Sequence, residues 1–329
     1  MYFDGLAFER DYTAAMIWYQ KAADHGDAWA HTSIGWMHFH GLGVKKDVQE
    51  AVRWYRLAAE MDNAEGMNNL GYVYRHGHGV EKDLTKAAEW FRLGAEKEND
   101  WAITNLGELY LHGEGVERDP SKGMELLKKA AERGHSLAML NLGQIYLGGI
   151  ESEKNFQKAM DWSRKAAEKG NAVGMCQVGF IYLKGLGVPQ DSKEALRWYT
   201  RAMDAGHRES LFDVVAAYLE GAEGIERDPT RAIAILLKAA KADDERAMRI
   251  LGHIYYDGKH VEEDYAEALK WYRNAASLGD SAAMLSIASM YAGGQGVEKD
   301  AAASLEWIRK AAAKGNAEAV EILRKRGPK

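Results

Sequence analysis

The chain has one cysteine in 329 residues, and a lone Cys176 excludes both an intramolecular disulfide framework and any multi-cysteine metal site. Its expected place is as filler in an apolar helix. No apolar run approaches the length that spans a bilayer, and Met1-Tyr2-Phe3-Asp4-Gly5 lacks the basic-then-apolar grading of a signal peptide. A basic surplus is also missing. The 43 Lys and Arg stand against 49 Asp and Glu, and the one basic run is the tail Arg324, Lys325, Arg326, Lys329. Nucleic-acid binding needs a basic stripe to displace counterions, so this class is set aside. What is present is an ordinary soluble balance, 47% hydrophobic and 28% charged, able to bury a core.

The chain is periodic. A loop of pattern G-x-G-V-x-x-D recurs at Gly41 to Asp47, Gly77 to Asp83, Gly113 to Asp119, Gly185 to Asp191 and Gly294 to Asp300, on a 36-residue step. Degenerate copies run from Gly5 to Asp11, Gly149 to Asn155, Gly258 to Asp264 and, with one inserted residue, Gly221 to Asp228. Three residues before each loop stands a tyrosine, with His38 the exception. A bulky residue, usually tryptophan (Trp18, Trp54, Trp90, Trp162, Trp198, Trp271, Trp307), follows seven residues after each loop, and then an alanine pair such as Ala58-Ala59 or Ala275-Ala276.

Each period reads as two helices. The first, such as residues 100–112, carries apolar residues at helical spacing and ends at a glycine, which adopts a left-handed cap at little cost. The loop aspartate is placed to cap the second helix, and Pro120 and Pro229 follow such aspartates where a first-turn proline loses no hydrogen bond. Glycines inside the first helices, Gly35, Gly71, Gly107, Gly143, Gly179 and Gly252, each weaken a helix by roughly 1 kcal/mol. Close approach of the alanine pair of the second helix is the expected compensation. One hairpin cannot bury its own apolar stripe, so neighbours must stack into a continuous core.

The loop, the Trp/Tyr pattern and the Ala-Ala signature resemble the Sel-1-like repeat family, a relative of tetratricopeptide repeats. The resemblance covers nearly the whole chain. It implies an all-α fold, a right-handed α/α superhelical solenoid of about eight complete hairpins. As a single domain over 1–329, it would comprise a partial repeat at 1–26, complete repeats over about 27–315 and a partial terminal helix in 316–329. Repeat four alters its loop over Gly149 to Asn155, and repeat six replaces the helical glycine by Val215. The chain opens in mid-repeat without a polar capping helix, so Met1 is expected to be an internal boundary, and a missing leader there carries no weight. Bacterial cytoplasm or periplasm is the expected setting.

Catalytic signatures are lacking. His40, His76 and His112 occupy equivalent positions, one per repeat and roughly 10 Å apart, too far to converge on one metal. No Lys-Ser or Lys-Thr follows the glycine loops, which are therefore turns rather than phosphate cradles. There is no G-x-S-x-G elbow, H-E-x-x-H helix or Cys/His dyad, and neither enzymatic activity nor a cofactor is expected.

Function is then expected at positions that vary between repeats. By the resemblance, the non-core face of the first helices lines a concave surface for a protein or peptide partner. Its candidates are Trp29, Trp36, Phe39, His40, Tyr72, Arg75, His76, Trp101 and Leu111, then Phe180 and Phe212, and finally Arg249 and Tyr256. Thr32, Thr104 and Leu140 are placed on the same face, and Arg246, Arg249, His253 and Tyr256 form a late patch suited to an acidic segment. Rigid rings beside an arginine are what interface hot spots favour. Two roles fit: an adaptor or scaffold gripping a partner, or a stoichiometric inhibitor or immunity protein blocking an enzyme. Oligomeric state is open.

Overall fold

The computed structural model describes residues 11–149 and 154–326. The Tyr2 and Gly5 positions, Ile150 to Glu153 of the altered loop and Lys329 lie outside the described residues. Two compact units divide the chain, residues 1–189 and 190–329. Both are built of paired helices, eighteen among the described residues, and sixteen of these are 13 residues long.

The first unit contains α1 (Tyr12–Asp24), α2 (Ala28–His40), α3 (Val48–Glu60), α4 (Ala64–His76), α5 (Leu84–Glu96), α6 (Asp100–His112), α7 (Pro120–Glu132), α8 (Ser136–Gly148), α9 (Phe156–Glu168) and α10 (Ala172–Lys184). The second contains α11 (Ser192–Asp204), α12 (Arg208–Glu220), α13 (Pro229–Ala240), α14 (Glu245–Asp257), α15 (Tyr265–Ser277), α16 (Ser281–Gly293), α17 (Ala301–Ala313) and α18 (Ala317–Arg326). The expected first helix over 100–112 is α6, residue for residue.

Helix ends follow the chemistry of the loops. Asp47, Asp83 and Asp119 each accept a hydrogen bond of 3.0 Å from the amide three residues on, and Asn155 does the same for α9 at 2.9 Å. The loop glycines Gly41, Gly77 and Gly113 are left-handed at φ 70–74°. The second loop glycine has a further duty. A Cβ on Gly115 would lie 2.1 Å from the carbonyl oxygen of Leu84, so this loop sits directly on the start of the preceding repeat's second helix. Gly43 meets the backbone of Tyr12 and Gly79 that of Val48 in the same way.

Glycines within the first helices are compensated differently from expectation. A Cβ on Gly35 would stand 2.7 Å from the Tyr55 ring, one on Gly71 2.5 Å from Phe91, and one on Gly252 2.5 Å from Tyr272. In these three repeats a buried ring of the second helix, not the alanine pair, lies on the bare backbone, whereas Gly107 meets Leu127 and Gly143 meets Ser163. The ring is that of the residue immediately after the recurring tryptophan. Where repeat six has Val215, the facing core residue is Leu236, so volume is exchanged across the hairpin. The alanine pair instead meets the start of the next first helix, with Ala58 against Gly66 and Ala166 against Gly174. In the first unit the core consists of local clusters bridged by half-buried Tyr74, Ala95 and Leu126.

Candidate partner-binding surface

Because α2 and α4 are successive first helices one period apart, equivalent positions fall side by side. Trp36 and Tyr72 are equivalent and exposed, at 36% and 41%. Their rings stack in a tilted fashion on the histidine one turn later, Trp36 on His40 at 4.3 Å and Tyr72 on His76 at 4.4 Å between centroids. Phe39 joins the two pairs, lying 5.1 Å from His40 and 6.2 Å from Tyr72. His78, from the loop after α4, closes the group against Phe39 at 5.6 Å, Tyr72 at 5.8 Å and His76 at 5.6 Å. Six rings thus form one connected surface.

Desolvation lowers the pKa of His40, with help from Lys46. Desolvation also lowers that of His76, and the neighbouring charges of Arg75, His78 and Lys82 add to this against the opposing pull of Glu114. In both His40 and His76 the shift favours the neutral imidazole.

A polar ladder flanks the rings. Arg75 bridges Glu108 of α6 at 2.8 Å and Glu114 at 3.1 Å, and Glu108 in turn accepts from Asn141 of α8 at 2.7 Å. Asn105 donates to Asn68 at 2.9 Å one step away. Arg75 is thus held in place by carboxylates on its own unit.

The remaining predicted residues separate from this cluster. Trp29 is exposed and packs edge-on against Tyr19 at 5.5 Å, while Trp101 does so against His135 at 4.6 Å. Phe180 of α10 is exposed at 42%. Leu111 is a correction: it is only 3% exposed, because Gly123 lets α7 approach and Leu111 fills that space. Phe212 is buried beneath the Arg246 guanidinium, 3.9 Å from the ring centroid, and is also core rather than surface. Thr32, Thr104 and Leu140 are buried as well; Thr32 donates to the capping Asn63 at 3.0 Å, and Thr104 pairs with His135 at 2.8 Å.

In the second unit the late patch is engaged internally. Arg249 binds Asp280 at 2.9 Å, the Tyr256 hydroxyl accepts from Gln295 at 2.7 Å, and His253 Nδ1 lies 2.8 Å from the Tyr272 hydroxyl. With Arg246 over Phe212, the cations expected to meet an acidic segment already have partners. Among the described residues no group of three or more His, Cys, Asp or Glu could hold a metal ion, and no helix is long and apolar enough to cross a membrane.

His78 was not among the residues assigned to the partner-binding surface from the sequence. Its signal is a fixed offset: the central residue of the G-x-G loop touches the residue 39 positions earlier, as His78 meets Phe39, Glu114 meets Arg75 and Gln295 meets Tyr256.

The Sel1 repeat pattern matches nine segments, at residues 1–27, 30–63, 64–99, 102–135, 136–171, 172–207, 215–244, 245–280 and 281–316. The chain belongs to the Sel1 repeat family. Among solved structures, c5321, described as a protective antigen of uropathogenic Escherichia coli strains displaying an SLR fold, is 34% identical over 97% of this chain and 68% of its own, with a TM-score of 0.56. A Sel1 repeat protein from Oxalobacter formigenes is 29% identical over 95% of this chain and 91% of its own, with a TM-score of 0.64. Yeast Tom70, at 14% identity over 96% of this chain and 61% of its own with a TM-score of 0.53, shares the fold alone. No curated protein matches the chain. Sel1 repeats are generally protein-interaction modules, and no catalytic family is indicated.

Proposed function

We propose that this Sel1 repeat chain is an adaptor or scaffold that grips a segment of a partner protein on the aromatic surface of α2 and α4. The observation that carries the reading is the connected group Trp36, Phe39, His40, Tyr72, His76 and His78, with Trp36 and Tyr72 open to solvent. Rings already packed on one another lose little freedom when a partner covers them, which is why such groups become hot spots. The flanking Arg75–Glu108–Asn141 ladder supplies a fixed polar border with both donors and acceptors.

The test is selection of peptides from a displayed library on the parent chain, followed by affinity measurement on a Trp36→Ala/Tyr72→Ala variant whose helical signal and unfolding midpoint match the parent. Selected peptides are expected to lose about tenfold or more in affinity, since each hot-spot truncation removes 2 kcal/mol or more on the scale of about 1.4 kcal/mol per decade. Equal affinity for parent and variant would remove this surface as the site.

A further inference from the structure

The turn between α12 and α13 departs from the other loops. It has one more residue, and Ala222 and Ile225 hydrogen-bond to each other in both directions, at 3.2 and 2.8 Å. Gly221 also leaves the usual cap geometry, with φ 73° and ψ 172°. A second departure faces it from α11. In three other repeats an arginine of the second helix donates to the hydroxyl of the tyrosine eighteen residues on: Arg56 to Tyr74, Arg164 to Tyr182 and Arg273 to Tyr291. Here the position is Thr200, whose hydroxyl turns back to the Leu196 carbonyl at 2.8 Å. The Tyr218 hydroxyl has no hydrogen-bond partner among the described residues.

The space left is a cleft of about 540 Å³, within the usual range of small-ligand sites. Lys193, Arg197, Arg201 and Arg231 line it, and no carboxylate does. Arg197 is shared with Glu194 at 3.0 Å, whereas Arg201 lies over Trp198 at 4.2 Å and Arg231 over Tyr218 at 4.6 Å. Lys193, Arg201 and Arg231 make no ion pair among the described residues. The corresponding cleft in the first unit, beside Tyr110, includes Glu117 and Asp119 in its lining and so lacks this one-sided charge. Leu196, Ile225 and the Tyr218 ring give the cleft of the second unit apolar walls.

We propose that this cleft is a binding site for a phosphate monoester carried on a small apolar or aromatic group. Three cations without an ion partner among the described residues line the cleft beside Arg197, and guanidinium groups match the spread oxygens of phosphate. The free Tyr218 hydroxyl adds a donor. A bare inorganic ion would leave the apolar walls uncovered, so the stem contributes to affinity. The group can come from a free metabolite or from a phosphorylated tyrosine, and both present the same chemistry.

The full chain is titrated calorimetrically with phenyl phosphate, inorganic phosphate and benzyl alcohol. Phenyl phosphate is expected to bind at least about tenfold more tightly than inorganic phosphate, and benzyl alcohol not to bind measurably. Two variants locate the site. Arg231→Gln is expected to weaken phenyl phosphate about tenfold. Thr200→Arg adds positive charge but restores the arginine–tyrosine contact of the other repeats and fills the cleft, so binding should be lost with the unfolding midpoint unchanged. Binding retained by Thr200→Arg would overturn the proposal in favour of diffuse surface charge, as would inorganic phosphate binding as tightly as phenyl phosphate, or neither binding at all. A phosphotyrosyl tripeptide binding more tightly than phenyl phosphate assigns the site to a protein-borne group, and equal binding assigns it to a free one.

Discussion

Glycine and an aromatic ring are paired across the hairpins at Gly35 and Tyr55, Gly71 and Phe91, and Gly252 and Tyr272, so neither partner can change alone. Gly71→Ala gains up to about 1 kcal/mol of helix propensity but drives a methyl into a fully buried ring, and overpacking costs about 1–3 kcal/mol. A net loss of stability is expected by urea unfolding, with partial recovery on adding Phe91→Leu, since Ala288 and Ile308 already coexist in one core. The sequence displays the glycines plainly, yet it does not say which of two adjacent bulky residues, Trp54 or Tyr55, covers them. Helical phase decides that, and one residue of phase turns a side chain by about 100°. Leu111 was misplaced for a related reason: its burial depends on Gly123, a residue of another helix.

The histidines belong to the same scale. His40, His76, His135 and His253 all have pKa values held below the usual 6.5 mainly by desolvation. The unfolded chain therefore binds protons before the folded one does. The stability these neutral imidazoles contribute is present above pH 6.5 and is lost as pH falls through the lower folded-state values. The urea midpoint is expected to drop between about pH 7 and about pH 5, with a shallower slope in His76→Gln. A slope unaltered by that substitution would mean His76 does not carry the effect.

Among elements, each second helix depends on one capping side chain, an aspartate except for Asn155 at α9. Asp47→Ala removes the 3.0 Å bond to the Glu50 amide and is expected to lower stability by about 1 kcal/mol, measured as a shift in unfolding midpoint. Asp47→Asn keeps an accepting oxygen and should lose much less. These ends were legible from spacing alone because a cap is a local interaction. The ring cluster was legible only in part. Trp36, Tyr72, His40 and His76 recur on the visible 36-residue step, whereas His78 joins through the 39-residue offset that links a loop to the preceding helix.

Over the whole molecule, helices pack chiefly on those next to them in the chain, so opening is expected to be graded rather than uniform. Only Ala319 of α18 is buried, against five residues of α4 and seven of α6. Amide hydrogen exchange should therefore be fastest in α18 and slowest through α4 to α6, a ranking that mass spectrometry of peptic fragments measures directly. Equal protection throughout would indicate a single cooperative block instead.

The clamp of each loop on the repeat before it makes successive joints interchangeable. Asn63 and Asn99 both cap first helices, accepting from Gly66 at 2.8 Å and Ala102 at 2.9 Å. Excising residues 64–99 would splice Asn63 onto Asp100 with the same cap on either side of the cut. A gene encoding such a chain can shorten or lengthen by whole periods through recombination between its own copies while every first helix keeps its cap. In this chain that excision would also discard Tyr72, His76 and His78, so a partner could be lost in one genetic step while the scaffold survived.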